Sequence, residues 1–170
     1  MYYPLSKKKI VEVVKESFAD FKHGKFRKMN LGKEVIPEKQ VQSGILHELI
    51  VASMSLIKGF REGKQKHDKD IVFIKNNKFS LDVKTSTNPE RIAGNRLTAG
   101  RTDYVNPSGY FLCVNFDPFL KGIKLQKPKL RKIRFGWIDA SKWKPQSGRG
   151  QAATLSSETL QSLELLFKQD

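Results

Sequence analysis

The chain has little cysteine, few acidic residues and no long apolar run. Its 170 residues include a single cysteine, Cys113, so no intrachain disulfide can form. The N-terminus leads straight into lysines without an apolar signal segment, and we therefore expect a reducing, cytoplasmic setting. The most apolar stretch, residues 45–57, is too short and too polar to span a bilayer, so no membrane partner is expected.

The shortage of acids leaves a large positive charge. The chain has 17 acidic residues against 32 lysines and arginines, a formal net charge of +15. Such an excess attracts polyanions, nucleic acid before an anionic membrane. The 38% hydrophobic content is typical of a globular protein, and the length fits one domain over residues 1–170.

The basic residues are densest between residues 121 and 134, where no acid occurs. A solvated loop would explain this run, but with the high net charge we favour a strip that lies along DNA phosphates. The residues predicted to contact DNA in this strip are Lys124, Lys127, Lys129 and Arg131.

Apolar spacing and turn signals divide the chain into helices and strands. Ser6 caps a predicted helix that ends at His23 before Gly24, and a largely apolar helix is predicted from after Pro37 to about Lys58. The order of elements predicts an α/β domain with a mixed sheet. The other predicted elements are strands at residues 71–74, 78–84, 110–116 and 132–138, a short helix after Asn88, and an amphipathic helix over residues 156–168.

The candidate catalytic residues lie on the predicted hairpin of residues 71–84. Asp82 and Lys84 are two positions apart on a strand and therefore share a face. Asp70 stands at the start of the neighbouring strand. Two adjacent carboxylates repel unless a cation bridges them, and carboxylate oxygens suit Mg²⁺. A lysine beside them can stabilise charge on a phosphate, so we predict a Mg²⁺-dependent phosphodiester hydrolase with Asp70 and Asp82 as metal ligands.

The register of this hairpin decides whether the three groups meet. A two-residue Asn76-Asn77 loop would place Asp70 on the wrong face. A three-residue loop that includes Lys78 pairs Asp70 with Lys84, so we predict that loop or an equivalent bulge.

Glu48 is the lone charged residue of the apolar helix between Gln40 and Ile57. Its carboxylate either sits on the one exposed edge or points at a metal or lysine, in which case it joins the catalytic set. His47 beside it has no metal-ligand spacing and is taken as a packing or surface residue.

The segment after Lys84 offers side chains for DNA contact. Ser86 can touch phosphate or simply face solvent. Asparagine and arginine read adenine and guanine edges in the major groove, so we favour DNA contact over an ordinary loop for Asn95, Arg96 and Arg101.

The spacing of Asp70, eleven residues, and Asp82-Val83-Lys84 resembles the signature of the PD-(D/E)xK nuclease superfamily. The usual proline before the first acid is replaced by Lys69, and Asp68 competes for the role of first acid. The resemblance implies a restriction-endonuclease-like core over about residues 40–140, with a four-stranded mixed β-sheet flanked by α-helices. It also matches Glu48 to the acidic residue often found on the first core helix.

Within that superfamily several segments resemble type II restriction endonucleases, most closely the ScaI-like group. These segments are Lys84-Thr85-Ser86, residues 93–96, residues 109–117 and residues 133–139. The resemblance implies a homodimer that cuts both strands of a short palindrome in double-stranded DNA. Two alternatives stay open: a structure-selective nuclease such as a Holliday junction resolvase, and a non-catalytic nucleic-acid-binding protein in which Asp82 and Lys84 merely pair.

Overall fold

The computed structural model of the chain describes residues 2–65, 68–95, 108–120, 127–145 and 152–169. These ranges contain helices and strands in an order that confirms the predicted α/β class. The elements are α1 (Lys7–His23), β1 (Lys25–Phe26), β2 (Met29–Asn30), α2 (Lys39–Ser55), β3 (Phe60–Glu62), β4 (Ile71–Phe73), β5 (Leu81–Ser86), β6 (Ala93–Asn95), β7 (Gly109–Asp117), β8 (Lys129–Ile138), β9 (Trp143–Pro145), β10 (Ala152–Leu155), α3 (Ser157–Ser162) and β11 (Glu164–Lys168).

The central sheet of the described chain has six strands in the order β11-β8-β7-β5-β4-β3. β5 and β7 run parallel, and the other neighbouring pairs are antiparallel, so the sheet is mixed as predicted. The implied count of four strands is wrong, because β3 and β11 extend the sheet by one strand at each edge. A smaller sheet has the order β6-β10-β9.

The central strands divide the interior into two apolar clusters. Leu112 and Val114 of β7 pack in the larger cluster with residues of α1 and α2. Phe111 and Cys113 point to the other face, where they pack with Leu160 of α3 and other residues. Because successive strand residues point to opposite faces, β7 serves both clusters and is buried along most of its length.

The two long helices follow the predicted limits at their N-terminal ends. Ser6 caps α1 by accepting a hydrogen bond from the Lys9 amide at 3.2 Å, and the helix stops before Gly24. α2 begins after Pro37 as expected but ends at Ser55, three residues short of the predicted Lys58. None of the described helices is both long and apolar enough to cross a membrane.

The predicted C-terminal helix over residues 156–168 is wrong beyond its first turns. Ser156 caps the six-residue α3, and the chain then extends as β11 against β8. The apolar spacing of Leu160 and Leu163 suits a helix, and both side chains are buried. After Leu163 the unpaired edge of β8 offers a ladder of backbone partners, which a continued helix would leave unused.

The predicted helix after Asn88 does not form. Asn88 behaves as a cap, since its side-chain oxygen accepts hydrogen bonds from the amides of Glu90 and Arg91 at 2.9 and 3.0 Å. The chain bends there and continues to β6 instead. Asparagine stabilises a local turn by the same hydrogen bonds that it makes at a helix start, and the sequence pattern does not separate the two.

The predicted three-residue hairpin loop is also wrong. Ile71 pairs with Leu81, and residues 74–80 connect the two strands through a 3₁₀ turn at Asn77–Phe79. The side chain of Asn76 caps this turn by accepting from the Lys78 amide at 3.0 Å. The asparagines are therefore turn residues, as predicted, but of a longer connection.

Gln42 attaches the start of α2 to the segment that follows β7. Its buried amide donates to the carbonyl oxygens of Pro37 and Phe119 at 2.8 and 3.0 Å, and its oxygen accepts from the Phe119 amide at 2.8 Å. Only 1% of the residue is exposed. These bonds fix the helix that carries His47 and Glu48.

We expect Gln42→Ala to lower the free energy of unfolding by about 2–4 kcal/mol, because it leaves buried backbone groups of Phe119 without a partner and opens a small cavity. The exposed Gln40 on the same helix gives the matched control, and Gln40→Ala should change stability by less than about 0.5 kcal/mol. Urea unfolding followed by circular dichroism measures both. Equal effects of the two substitutions would contradict the anchoring role of Gln42.

Candidate active site

The β5 strand presents the predicted acid and base on one face. Leu81 and Val83 are fully buried in the larger cluster, and Asp82 and Lys84 alternate with them. Phe79 is buried in the 3₁₀ turn that precedes the strand. The predicted shared face of Asp82 and Lys84 follows from the two-residue period of the strand.

Asp70 reaches the site through a break in the sheet. The β4–β5 ladder has Ile71 and Leu81 as its pair, and beyond it the Val83 amide donates to the Asp70 carboxylate Oδ2 at 2.8 Å. Lys84 Nζ lies 3.5 Å from the same oxygen. The structure thus brings Asp70 and Lys84 together, as predicted, although by a different register from the predicted one.

His47 is a site residue that sequence reasoning missed. Its Nε2 lies 3.2 Å from Asp70 Oδ2, and its Nδ1 lies 3.0 Å from Glu48 Oε1. The available signal was helical spacing: Ser43, one turn earlier, bonds to Thr85 of β5 through its hydroxyl, so the Ser43–His47 face of α2 looks toward β5. Metal-ligand spacing does not identify a histidine whose partner is a carboxylate on another element.

The surroundings of Asp70 favour its ionised form. Burial alone would raise its pKa, but the hydrogen bond with His47, the charges of Lys84 and His47, and the Val83 amide together lower the pKa to about 2. The pKa of His47 is raised, chiefly by its hydrogen bond with Asp70, against the opposing effect of burial. Asp70 is therefore an anion held by cationic and neutral donors.

Asp82 has a separate cation. Lys69 Nζ lies 2.5 Å from Asp82 Oδ2, and each side chain is 18% exposed. The ammonium also lies 5.0 Å from the centre of the Phe111 ring. Lys69, which stands where the superfamily signature usually has proline, therefore contributes a cation beside Asp82.

Asp68 and Glu48, the other two candidate acids, do not contact Lys84 or Lys69 in the described contacts. Asp68, the competitor for the first acid, receives hydrogen bonds from Arg61 at 2.9 Å and from the Lys64 and Gln65 amides, which commit it to the loop before β4. Glu48 has a side chain 72% exposed whose described partner is His47. It therefore approaches Asp70 through the imidazole rather than by direct contact.

The predicted DNA-contacting residues are only partly described. Ser86 is half-buried and its hydroxyl accepts from the Asn88 amide at 3.1 Å. The backbone of Asn95 pairs with Ala152 in the smaller sheet. Arg96, Arg101 and Lys124 lie outside the described residues.

The 127–131 segment contains exposed basic side chains and one that is held in an ion pair. Lys127 and Lys129 are exposed, whereas Arg131 forms an ion pair with Asp117, with Nη2 2.6 Å from the carboxylate. The two lysines line a groove with basic and apolar walls, and no acid lines it among the described residues. The other basic residues of this groove are Lys15, Lys22, His23 and Lys168.

Comparisons with known proteins place the chain in a family. The model of the ScaI restriction endonuclease family matches residues 1–166, which include every group of the candidate site. The type II restriction enzyme ScaI of Streptomyces caespitosus is 29% identical over 164 residues, covering 89% of this chain and 69% of that protein. No solved structure matches the chain. Since the family model spans nearly the whole sequence, the chain belongs to the ScaI restriction endonuclease family.

Proposed function

We propose that this chain is a Mg²⁺-dependent type II restriction endonuclease that hydrolyses phosphodiester bonds at a specific sequence in double-stranded DNA. The observation that carries the proposal is the contact of Asp70 with Lys84, which lies on the same strand as Asp82. This contact occurs in a member of a restriction endonuclease family. The same three residues support assignment to the PD-(D/E)xK superfamily, with the chain as one nuclease domain.

Asp70 and Asp82 supply the carboxylate oxygens that a magnesium ion prefers as ligands. Among the described residues no group of three or more His, Cys, Asp and Glu side chains is arranged to hold a metal. Magnesium is commonly bound through one or two carboxylates together with waters and substrate phosphates, so two acids are an adequate protein contribution. When bound, the ion would supply Lewis-acid activation of the phosphate and of a water nucleophile.

Lys84 is placed to act on the reacting phosphate. Its ammonium is partly buried and held at one side by Asp70, so it is positioned before substrate arrives. A fixed positive charge in a poorly solvated site stabilises the negative charge that develops on phosphate oxygens during hydrolysis. Lys84 can also orient the attacking water by hydrogen bonding.

The charge of the chain supports a DNA substrate. A net charge of +15 and the lysine-lined groove favour binding to phosphates, with release of bound counterions. Cutting both strands of a palindrome requires two sites related by a two-fold axis, so we propose a homodimer that acts in the cytoplasm. Family membership favours this reading over a junction resolvase or a non-catalytic binding protein.

We expect Asp82→Asn and Lys84→Ala each to lower the single-turnover rate of DNA cleavage in Mg²⁺ by about 10³-fold or more, because each removes a group that acts at the phosphate. Asp20→Asn on the exposed face of α1 is the control for loss of one carboxylate and should cut normally. Rates of both site variants within tenfold of the wild type would refute the assignment.

Glu48 and His47 should affect cleavage in order of their closeness to Asp70. His47→Ala removes a direct partner of the carboxylate and should slow cleavage by about 10–100-fold, the range for groups that orient a metal ligand. Glu48→Gln should cause a smaller reduction, since it acts through His47. The exposed Glu38→Gln is the matched control. Unchanged cleavage by Glu48→Gln would show that Glu48 is merely a surface group.

The lysines of the groove should contribute to DNA binding without regard to sequence. We expect Lys127→Ala with Lys129→Ala to reduce the slope of log affinity against log salt by about 1 to 2 units on any duplex. The pair Lys75→Ala with Lys78→Ala removes the same charge from the exposed turn between β4 and β5 and should change the slope less. Titrations with Ca²⁺ in place of Mg²⁺ measure binding, and equal slopes for the two double variants would contradict a phosphate role of the groove.

A further inference from the structure

Each carboxylate of the candidate site has its own lysine. Asp70 is 3.5 Å from Lys84, whereas Asp82 is 2.5 Å from Lys69. Lys69 directly precedes Asp70 in the chain, yet its side chain passes its neighbour and pairs with the acid of the next strand. Each ion pair therefore links β5 to the segment before β4: Lys69 of that segment pairs with Asp82 of β5, and Lys84 of β5 pairs with Asp70.

The position of the Lys69 ammonium is shaped by β7. Phe111, the register partner of Asp82 in the parallel β5–β7 pair, places its ring 5.0 Å from Lys69 Nζ. At Gly109 an added Cβ would lie 2.5 Å from Lys69 Cε and 2.8 Å from Nζ. The absence of a side chain at Gly109 thus leaves the space through which Lys69 reaches Asp82.

A divalent cation at Asp82 would compete with this ammonium. Both need the same carboxylate, and a lysine ammonium next to a doubly charged ion experiences repulsion that burial strengthens. The lysine side chain has four carbons and rotatable bonds, so it can move while its Cα stays in place. Once displaced in a site that holds DNA, the ammonium can pair with a substrate phosphate.

We propose that Lys69 is an exchangeable counter-ion: it neutralises Asp82 until a divalent cation takes that carboxylate, and it then pairs with a phosphate of the DNA. The inference rests on the proposed function, in which Asp82 is a metal ligand. The exchange links the two ligands, because DNA that accepts the ammonium strengthens cation binding, and the cation by the same amount strengthens DNA binding.

Calcium alone tests the first half of the exchange. We expect Lys69→Met, which retains an unbranched apolar stem against Phe111, to bind Ca²⁺ about tenfold more tightly than the wild type by isothermal titration calorimetry. Lys78→Met, the same change in an exposed turn, should leave the affinity within twofold. Circular dichroism verifies that each variant is folded.

Movement of the ammonium is measured by amine acetylation and mass spectrometry. Acetylation of Lys69 in the wild type should be slow and should rise severalfold as Ca²⁺ is added, with a midpoint at the calorimetric dissociation constant. The exposed Lys75 supplies the internal control and should react at a constant rate. Lys69 that remains protected at saturating Ca²⁺ would overturn the exchange even if Lys69→Met bound Ca²⁺ more tightly, since charge alone would then explain the affinity.

Salt dependence tests the destination of the ammonium. Lys69→Met should reduce the slope of log DNA affinity against log salt by about 1 unit in Ca²⁺ and leave it unchanged in EDTA, where Asp82 retains the lysine. Equal slopes for the wild type and Lys69→Met under both conditions would overturn the phosphate contact.

The Asp82→Asn variant tests separately whether Asp82 is a metal ligand, on which the exchange rests. Asp82→Asn should abolish the calorimetric Ca²⁺ signal, and Ca²⁺ binding that does not depend on Asp82 would refute the metal site and the exchange together. Binding that requires Asp82 but leaves Lys69 protected would overturn the exchange alone.

Discussion

The site depends on one partly buried anion, the carboxylate of Asp70, which occupies the gap where the β4–β5 ladder ends. The backbone pairing of β4 with β5 ends at Ile71 and Leu81, so β4 offers no carbonyl to the Val83 amide. That amide donates to the Asp70 carboxylate instead. The same oxygen lies near His47 of α2 and Lys84 of β5. A single carboxylate therefore joins a helix, a strand and the preceding loop, and the free energy lost on burying its charge is offset by three donors.

The distribution of cations around the two acids follows from this arrangement. Lys84 and His47 lie against Asp70, and Lys69 lies against Asp82, so each carboxylate has a cationic or hydrogen-bonding partner of its own. In the proposed exchange, a divalent cation and a DNA phosphate replace the internal pairing of Asp82 with Lys69. In the proposed function, the excess of basic residues elsewhere on the chain contributes affinity for DNA, and the paired groups act at the reacting phosphate.

Sequence patterns predicted the parts of this site that depend on local rules. The Ser6 cap follows from side-chain hydrogen bonding within one turn, and the shared face of Asp82 and Lys84 follows from the two-residue period of a strand. The hairpin register and β11 could not be predicted, because each depends on backbone partners distant in sequence. The contacts of His47 and Lys69 could not be predicted for the same reason, because their partners Asp70 and Asp82 come from other parts of the fold.

The most direct test of the central claim is the position of a divalent cation in a crystal of the protein grown with Mn²⁺. Two carboxylates that act as one site predict an anomalous peak about 2.0–2.2 Å from oxygens of both Asp70 and Asp82, with Lys69 turned away from Asp82. A peak bound by Glu48 and His47, or by Asp68, with Asp70 and Asp82 still paired to their lysines, would contradict it.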